Sequence, residues 1–363
     1  MNATVTDTYV VTAVCCGRDH TLALQANGKA MGWGGDGSGR VAPGSPDVCT
    51  AWGAPTRAVE VKLRPRLVSI AAGYGVSLGI TERDEVAVWG HCAAGIGGRM
   101  ESIAAGMPQP LAALPAARSA VAGEFQFAAI DRDGVVRTWG LDVDGALGRS
   151  SAQRNALPGA VAGLPPVTRV AIGQGFMLAV AHDGTLHGWG SNAAGQLGLG
   201  HLATVAAPRM LASPARFESV AAGSTHALAV STRGEVFAWG SNHRGQLGTG
   251  KAAYSTVPLP VALPERIRAV AAGMHFSLAL STTGNVYAWG WNGLGQLAAD
   301  DRADHRQPMR IAALSGVRAI AAGQAHAVAL ADGHLHGWGS NAAGQLGAAD
   351  REQRRPTTLL DLG

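Results

Sequence analysis

Two adjacent thiols, Cys15 and Cys16, stand just before an Asp19-His20 pair, so a nucleophile and a base fall within one short segment. That pattern supports covalent catalysis only if the intervening turn brings ring and thiol together. Cys15-Cys16 also fills the place held by Ala-Ala in four sister segments, which makes small apolar packing the plainer role.

His20 has counterparts. His20, His226 and His326 each follow a glycine by three residues, while Val76, Gln126, Phe176 and Phe276 fill the same place elsewhere. A metal centre needs three such ligands converging on one point. These three belong to the first, fifth and seventh copies of a repeat, and His275, one place earlier in the sixth, does not complete the set. A structural hydrogen bond is expected of them, with no metal and no cofactor.

Four further side chains are suited to contact a partner. Trp52 and Arg57 lie in a long segment, residues 34–66, and loops over a rigid scaffold are where binding residues tend to be placed. Folding back over a sheet edge is the competing use of Trp52. Trp291 stands two residues after a repeated Trp, where Ser191, Ser241 and Ser340 recur and Gly35, His91 and Leu141 also occur. If that place opens on one face, Trp291 and His91 are contacts; if not, they pack against neighbouring loops. The Gly34–Gly39 segment resembles a phosphate loop only in composition, because no helix or Lys-Ser/Thr follows it.

The elements that must position these residues are repeated. Trp-Gly recurs at Trp33, Trp89, Trp139, Trp189, Trp239, Trp289 and Trp338. A marker glycine at 17, 73, 123, 173, 223, 273 and 323 precedes the Trp by sixteen residues in six copies and fifteen in the last. Within residues 219–248, a small-residue strand, a second strand, a turn at Arg233-Gly234 and a Trp-bearing third strand follow in order. Only the second copy, with Arg83-Asp84-Glu85, lacks the turn glycine. A fourth strand is expected after each Gly-Gln-Leu-Gly segment, starting at Pro208, Pro258, Pro308 and Pro356 as suits an outer edge.

Seven such units predict an all-β, seven-bladed β-propeller of four-stranded antiparallel blades, at about residues 10–68, 69–116, 117–167, 168–216, 217–265, 266–315 and 316–363. Small residues would line the axis, and the Trp would fill the gap between blades. Alternation would turn one of Cys15 and Cys16 toward the axis and the other into the blade. The C-terminal RPTTLLDL would supply the last outer strand, with residues 5–12 beside it or packed beneath.

The pattern A-A-G-x-x-H-x-L-A-L, then D/N-G, then W-G-S-N-x-x-G-Q-L-G resembles the repeat of the regulator of chromosome condensation family from about Val14 to Leu362. The resemblance implies the propeller. For function it implies several alternatives, since such propellers include a nucleotide exchange factor for a small GTPase, a plant ultraviolet-B photoreceptor and bacterial β-lactamase inhibitors.

Composition narrows the field. Of 363 residues, 47% are hydrophobic but only 5% aromatic, and 51 are Gly, so the core is built from small aliphatic side chains around tight turns. A net charge of +4 spread over a chain with 15% charged residues gives no nucleic-acid signature. Four Cys without C-x-x-C spacing suggest a reducing compartment, and no stretch is long and apolar enough for a membrane span. The expectation is a cytoplasmic, monomeric bacterial protein without membrane attachment. Its first function is a non-catalytic scaffold binding another protein. Guanine-nucleotide exchange on a small GTPase is the second, and small-ligand binding or catalysis in the central channel, with Cys15, Cys16 and His20 near the mouth, is the third.

Overall fold

The computed structural model describes residues 10–35, 39–41, 58–90, 108–150, 155–250, 252–347 and 352–359. They form seven four-stranded antiparallel sheets, each taken from consecutive strands of the chain. In blade one these are β1 (Val11–Cys16), β2 (His20–Gln25), β3 (Ala30–Gly34) and β4 (Val59–Val61). The first strands pack side by side around the axis, and β1 closes the ring against Val317–Ala322 of blade seven. Ala and Gly in these strands let neighbouring backbones approach closely.

Second strands are buried along their whole length, as in His226–Ser231. Third strands carry the Trp, whose indole enters the core of the preceding blade. Trp338 lies among Phe276, Leu278 and Leu297 of blade six, and Trp33 among Val328, Leu330 and Leu346 of blade seven. In four junctions the indole N–H donates back: Trp189, Trp239, Trp289 and Trp338 reach the carbonyls of Ala146, Gln196, Gln246 and Gln296 at 3.0, 2.8, 2.8 and 2.9 Å. Packing and hydrogen bonding thus fall on the same residue.

The turn between second and third strands explains the shorter spacing in blade seven. Elsewhere a glycine such as Gly234 at φ 80° closes a three-residue loop, and in blade two Asp84 takes that left-handed place at φ 62°. Blade seven pairs Ala331 directly with His334 across Asp332 (φ 49°) and Gly333 (φ 82°), a two-residue turn with both centres left-handed. One fewer turn residue gives fifteen instead of sixteen.

Two expectations need correction. Fourth strands begin before the prolines, at Val205, Tyr254, His305 and Glu352, and each proline sits inside a pairing irregularity. An irregular edge tolerates a residue that cannot donate, so the strand need not start at it. At the other terminus, Val11 and Thr12 are part of the innermost strand of blade one, so they do not join the last outer strand, which is Glu352–Thr358.

The Gly-Gln-Leu-Gly segments prove to be blade mechanics. Asn192 Oδ1 accepts from Leu197 N at 2.9 Å while its amide donates to His201 and Ala203 carbonyls, and Gln196 Oε1 accepts from Ala194 N. Blade three uses Asp142 in the same way. Blade one keeps the device in disguise at the start of its long segment. Gly39-Arg40-Val41 stands six residues after Trp33, as Gly195-Gln196-Leu197 does after Trp189. Gly39 has φ 68°, Val41 is fully buried, and the Arg40 carbonyl accepts Ser77 Oγ at 2.7 Å.

Candidate binding face

The marker glycines surround the axis at the end of the first strands, and three have ring atoms of a neighbouring histidine lying on them. A Cβ at Gly17, Gly223 or Gly323 would stand 2.1, 2.2 or 2.1 Å from Cε1 of His20, His226 or His326. It would also stand 2.4–2.5 Å from the carbonyl of the next marker glycine round the ring. The repeated glycine and the repeated ring are therefore one packing unit.

Each of those histidines reaches into the next blade. His20, His226 and His326 place Nε2 at 3.0, 3.0 and 3.2 Å from the hydroxyls of Ser77, Ser277 and Thr21. Each hydroxyl proton is already committed to a carbonyl, that of Arg40, Gln246 or Gln345. Nε2 must therefore be the donor, which leaves a neutral ring with its lone pair on Nδ1. Nδ1 has no partner in any of the three, and burial pushes His226 and His326 down to about 3. Burial, with Arg40 and His326 nearby, takes His20 well below the ordinary value.

The partner hydroxyls were legible in the sequence and were missed. Every histidine is followed in the next blade by Ser or Thr one place further on. Where Val76, Gln126, Phe176 and Phe276 replace it, the next blade carries Phe127, Met177, Ala227 and Ala327. Ser277→Ala is expected to cost about 1–3 kcal/mol, because a buried Nε2–H loses its acceptor. Adding His226→Phe recreates the Phe176/Ala227 pairing and should recover most of that loss in urea titration; no recovery would detach the two positions.

Just after each marker glycine stands a residue that differs from copy to copy. These are Arg18, Tyr74 and Glu124 in blades one to three, then Gln174, Ser224, Met274 and Gln324. They form a collar over an axial cavity of about 310 Å³ walled by the marker glycines and small residues such as Ala72, Ala122 and Ala222. Backbone N–H groups of Arg18, Tyr74, Gln174, Ser224, Met274 and Gln324 bond to the next blade at 3.1–3.4 Å, which fixes the collar's spacing. At the remaining junction, Gln174 Nε2 donates to Glu124 at 3.3 Å. The Arg18 guanidinium lies 4.1 Å over the Tyr74 ring, whose centroid is 6.3 Å from that of Phe125.

The same face carries two wider rings. Backbone bonds tie the residue two after each marker glycine to the residue two after the repeated Trp: Phe125 to Leu141, Thr225 to Ser241, His275 to Trp291. Trp291 therefore belongs to the collar face, where its ring meets His275 at 6.4 Å edge to face. On the first blade, Asp19 is paired with Arg40 at 2.8 Å, and burial raises its carboxyl while Arg40 and Arg18 lower it.

The structure separates the other sequence candidates. Cys15 packs with the cluster of Leu22, Leu67 and Trp89, and Cys16, at the edge of the axial cavity, packs with that of Trp33, Val328 and Leu346, so the expected division between axis and blade does not hold: both thiols enter clusters between blades. Burial raises the Cys15 thiol well above its ordinary value and the Cys16 thiol to about 12, and neither His20 ring nitrogen meets a sulfur. Trp52, Arg57 and His91 fall outside the described residues. Among the described residues no group of three or more His, Cys, Asp or Glu is placed to hold a metal.

A model of the RCC1-like domain matches residues 100–363, and one of the regulator of chromosome condensation (RCC1) repeat matches residues 11–40. The chain belongs to the RCC1-like domain family. Human WBSCR16 superposes on this RCC1-like propeller with a TM-score of 0.81 at 23% identity, over 92% of this chain and 94% of that one. Yeast RCC1 (Prp20), in a crystal structure with Kap60 bound to it, gives 0.78 at 20% identity over 100% of this chain and 87% of that one. Both likenesses bear on fold. The ultraviolet-B receptor UVR8 of Arabidopsis thaliana is 33% identical over 107 residues, which is 29% of this chain and 23% of that receptor.

Proposed function

We propose that this RCC1-like propeller is a non-catalytic platform that binds another protein through its collar face. The observation that carries the reading is the concentric arrangement: backbone places that repeat from blade to blade hold different side chains, with Arg18-Tyr74-Phe125 on one side and His275-Trp291 on the other. Aromatic and Arg side chains are the residues that anchor protein interfaces. A collar held by backbone bonds has little ordering left to lose on binding. The thiols of Cys15 and Cys16 and the ring of His20 are each held in the uncharged form, which disfavours that set as nucleophile and base.

The test is quantitative affinity purification from the source cell with wild type, Trp291→Ala, Phe125→Ala, Trp52→Ala and, on an outer edge strand, Leu157→Ala. A direct partner should bind Trp291→Ala or Phe125→Ala about tenfold more weakly and Leu157→Ala as well as wild type. If every captured protein is indifferent to the collar-face substitutions, the face is not the platform.

A further inference from the structure

We propose that the axial mouth opposite the collar binds a compact oligophosphate, gripped toward its two ends by the pairs Arg118 with Arg169 and Arg268 with Arg318. The site shares no residue with the collar and does not depend on protein binding there.

The first strand of every blade runs up to its marker glycine, so the opening residues of these strands gather at the other end of the axis. Adjacent first strands lie within 8 Å of one another, Cα to Cα, all the way round, which keeps that mouth narrow. The opening residue is buried in each blade, as Val167, Phe217, Ile267 and Val317 are. The place after it holds Thr12, Val68, Arg118, Thr168, Glu218, Arg268 and Arg318, exposed in every blade except the fourth, where the exposed residue is the next one, Arg169. Four positive side chains and one negative leave a surplus of three positive charges around the mouth.

Hydrogen bonds place the guanidinium groups. Arg118 reaches across a blade boundary to the Val167 carbonyl, and Arg169 Nη1 donates to the Thr168 carbonyl at 3.0 Å, so two cations sit on consecutive carbonyls at the opening of blade four. Arg268 Nη2 crosses in the same way to the Val317 and Arg318 carbonyls at 2.9 and 2.8 Å, which brings it to the strand that carries Arg318. A carbonyl orients a guanidinium without cancelling its charge. Among the described residues none of the four arginines has an ion pair, and the nearby acids Asp84 and Asp131 face Arg132 and Arg137 instead. Like charges held together without a counter-charge concentrate anions at the mouth.

The ligand class follows from how these charges are grouped. A terminal phosphoryl group carries a charge of about −1.5 to −2 and three acceptor oxygens, so it answers two guanidinium forks at once, where a carboxylate answers one. The openings of blades four and seven are three places apart in a ring of seven, so the two pairs face each other across the axis. Orthophosphate engages one pair; a short chain of phosphates reaches both. Glu218, in blade five, stands between the pairs and is the one side chain of the ring that opposes the anion.

Isothermal titration of the full chain with tripolyphosphate, orthophosphate and hexaglutamate, in salt at about 0.15 M to screen diffuse attraction, tests the assignment. Saturable binding of tripolyphosphate is expected, at least about tenfold tighter than of orthophosphate or hexaglutamate. Arg318→Gln, whose side chain makes no hydrogen bond among the described residues, should weaken it about tenfold, and Arg118→Gln/Arg169→Gln further. Arg209→Gln, the same charge change on an exposed outer strand, and Arg18→Gln, on the collar, should leave it unchanged. Glu218→Gln should tighten it about threefold, which reads the site without disturbing the arginines that bridge blades. Absence of saturable binding, equal loss in Arg209→Gln and Arg318→Gln, no response to Glu218→Gln, or hexaglutamate binding as tightly as tripolyphosphate would overturn the proposal.

Discussion

Gly223→Ala is expected to destabilise the fold by about 3 kcal/mol or more, equivalent to a fall of about 4 °C or more in Tm for a chain of this size. The new methyl would stand 2.2 Å from His226 Cε1 and 2.5 Å from the Gly273 carbonyl. The first contact is with a side chain that cannot retreat, because its Nε2–H is held by Ser277 in the next blade. The second is with backbone in a ring of inter-blade hydrogen bonds. Pairing Gly223→Ala with His226→Ala removes one obstacle and leaves the other, so partial recovery is the expected calorimetric result. A single substitution with wild-type Tm would mean that the collar yields easily, contrary to its bonding.

Acidification should weaken the ring through its buried histidines. His226 and His326 have folded values of about 3, below the ordinary 6.5, and His20 is shifted in the same direction. Below about pH 6.5 the unfolded chain therefore binds protons that the folded chain refuses. The associated stability is fully present above that pH and is lost as pH falls toward 3. Each histidine contributes a slope of about 1.4 kcal/mol per pH unit once its unfolded form is protonated. Urea titrations between pH 7 and 5 should show stability falling with pH, and His226→Phe/Ser277→Ala should remove about one third of the slope of three equal histidines. An unchanged slope in that variant would show that His226 is not held neutral. Below pH 4.5 Glu265 joins with the same sign, since hydrogen bonds from Thr283 and Tyr287 hold it near 2.

The fold was legible because its two markers are local and periodic: the Trp needs the preceding blade's core, and the marker glycine needs space for a ring. Relations between one copy and the next were harder to read. The pairing of His226 with Ser277 crosses a blade boundary, so it emerges only when place three of one repeat is compared with place four of its successor. The collar was missed for a different reason. A departure is visible only against a common residue, and the place after the marker glycine has none. Trp291 stands out in the sequence as a departure from a recurring Ser, and the bond from its N–H to the His275 carbonyl fixes its backbone beside the residue two after the marker glycine. In blade one the device is hidden from the sequence because Arg40 and Val41 stand in the places of Gln and Leu.

Among the described residues every blade is built from consecutive strands, and that bears on the order in which the molecule can be made. Each sheet is completed by one continuous stretch of sequence, so a chain leaving the ribosome can finish a blade and dock it on its predecessor before the next emerges. One junction must wait. Thr21 meets His326 and Gln345, and Trp33 meets Leu346, only after the seventh blade exists. Until then this flank of the first blade has an apolar surface that only the seventh blade conceals.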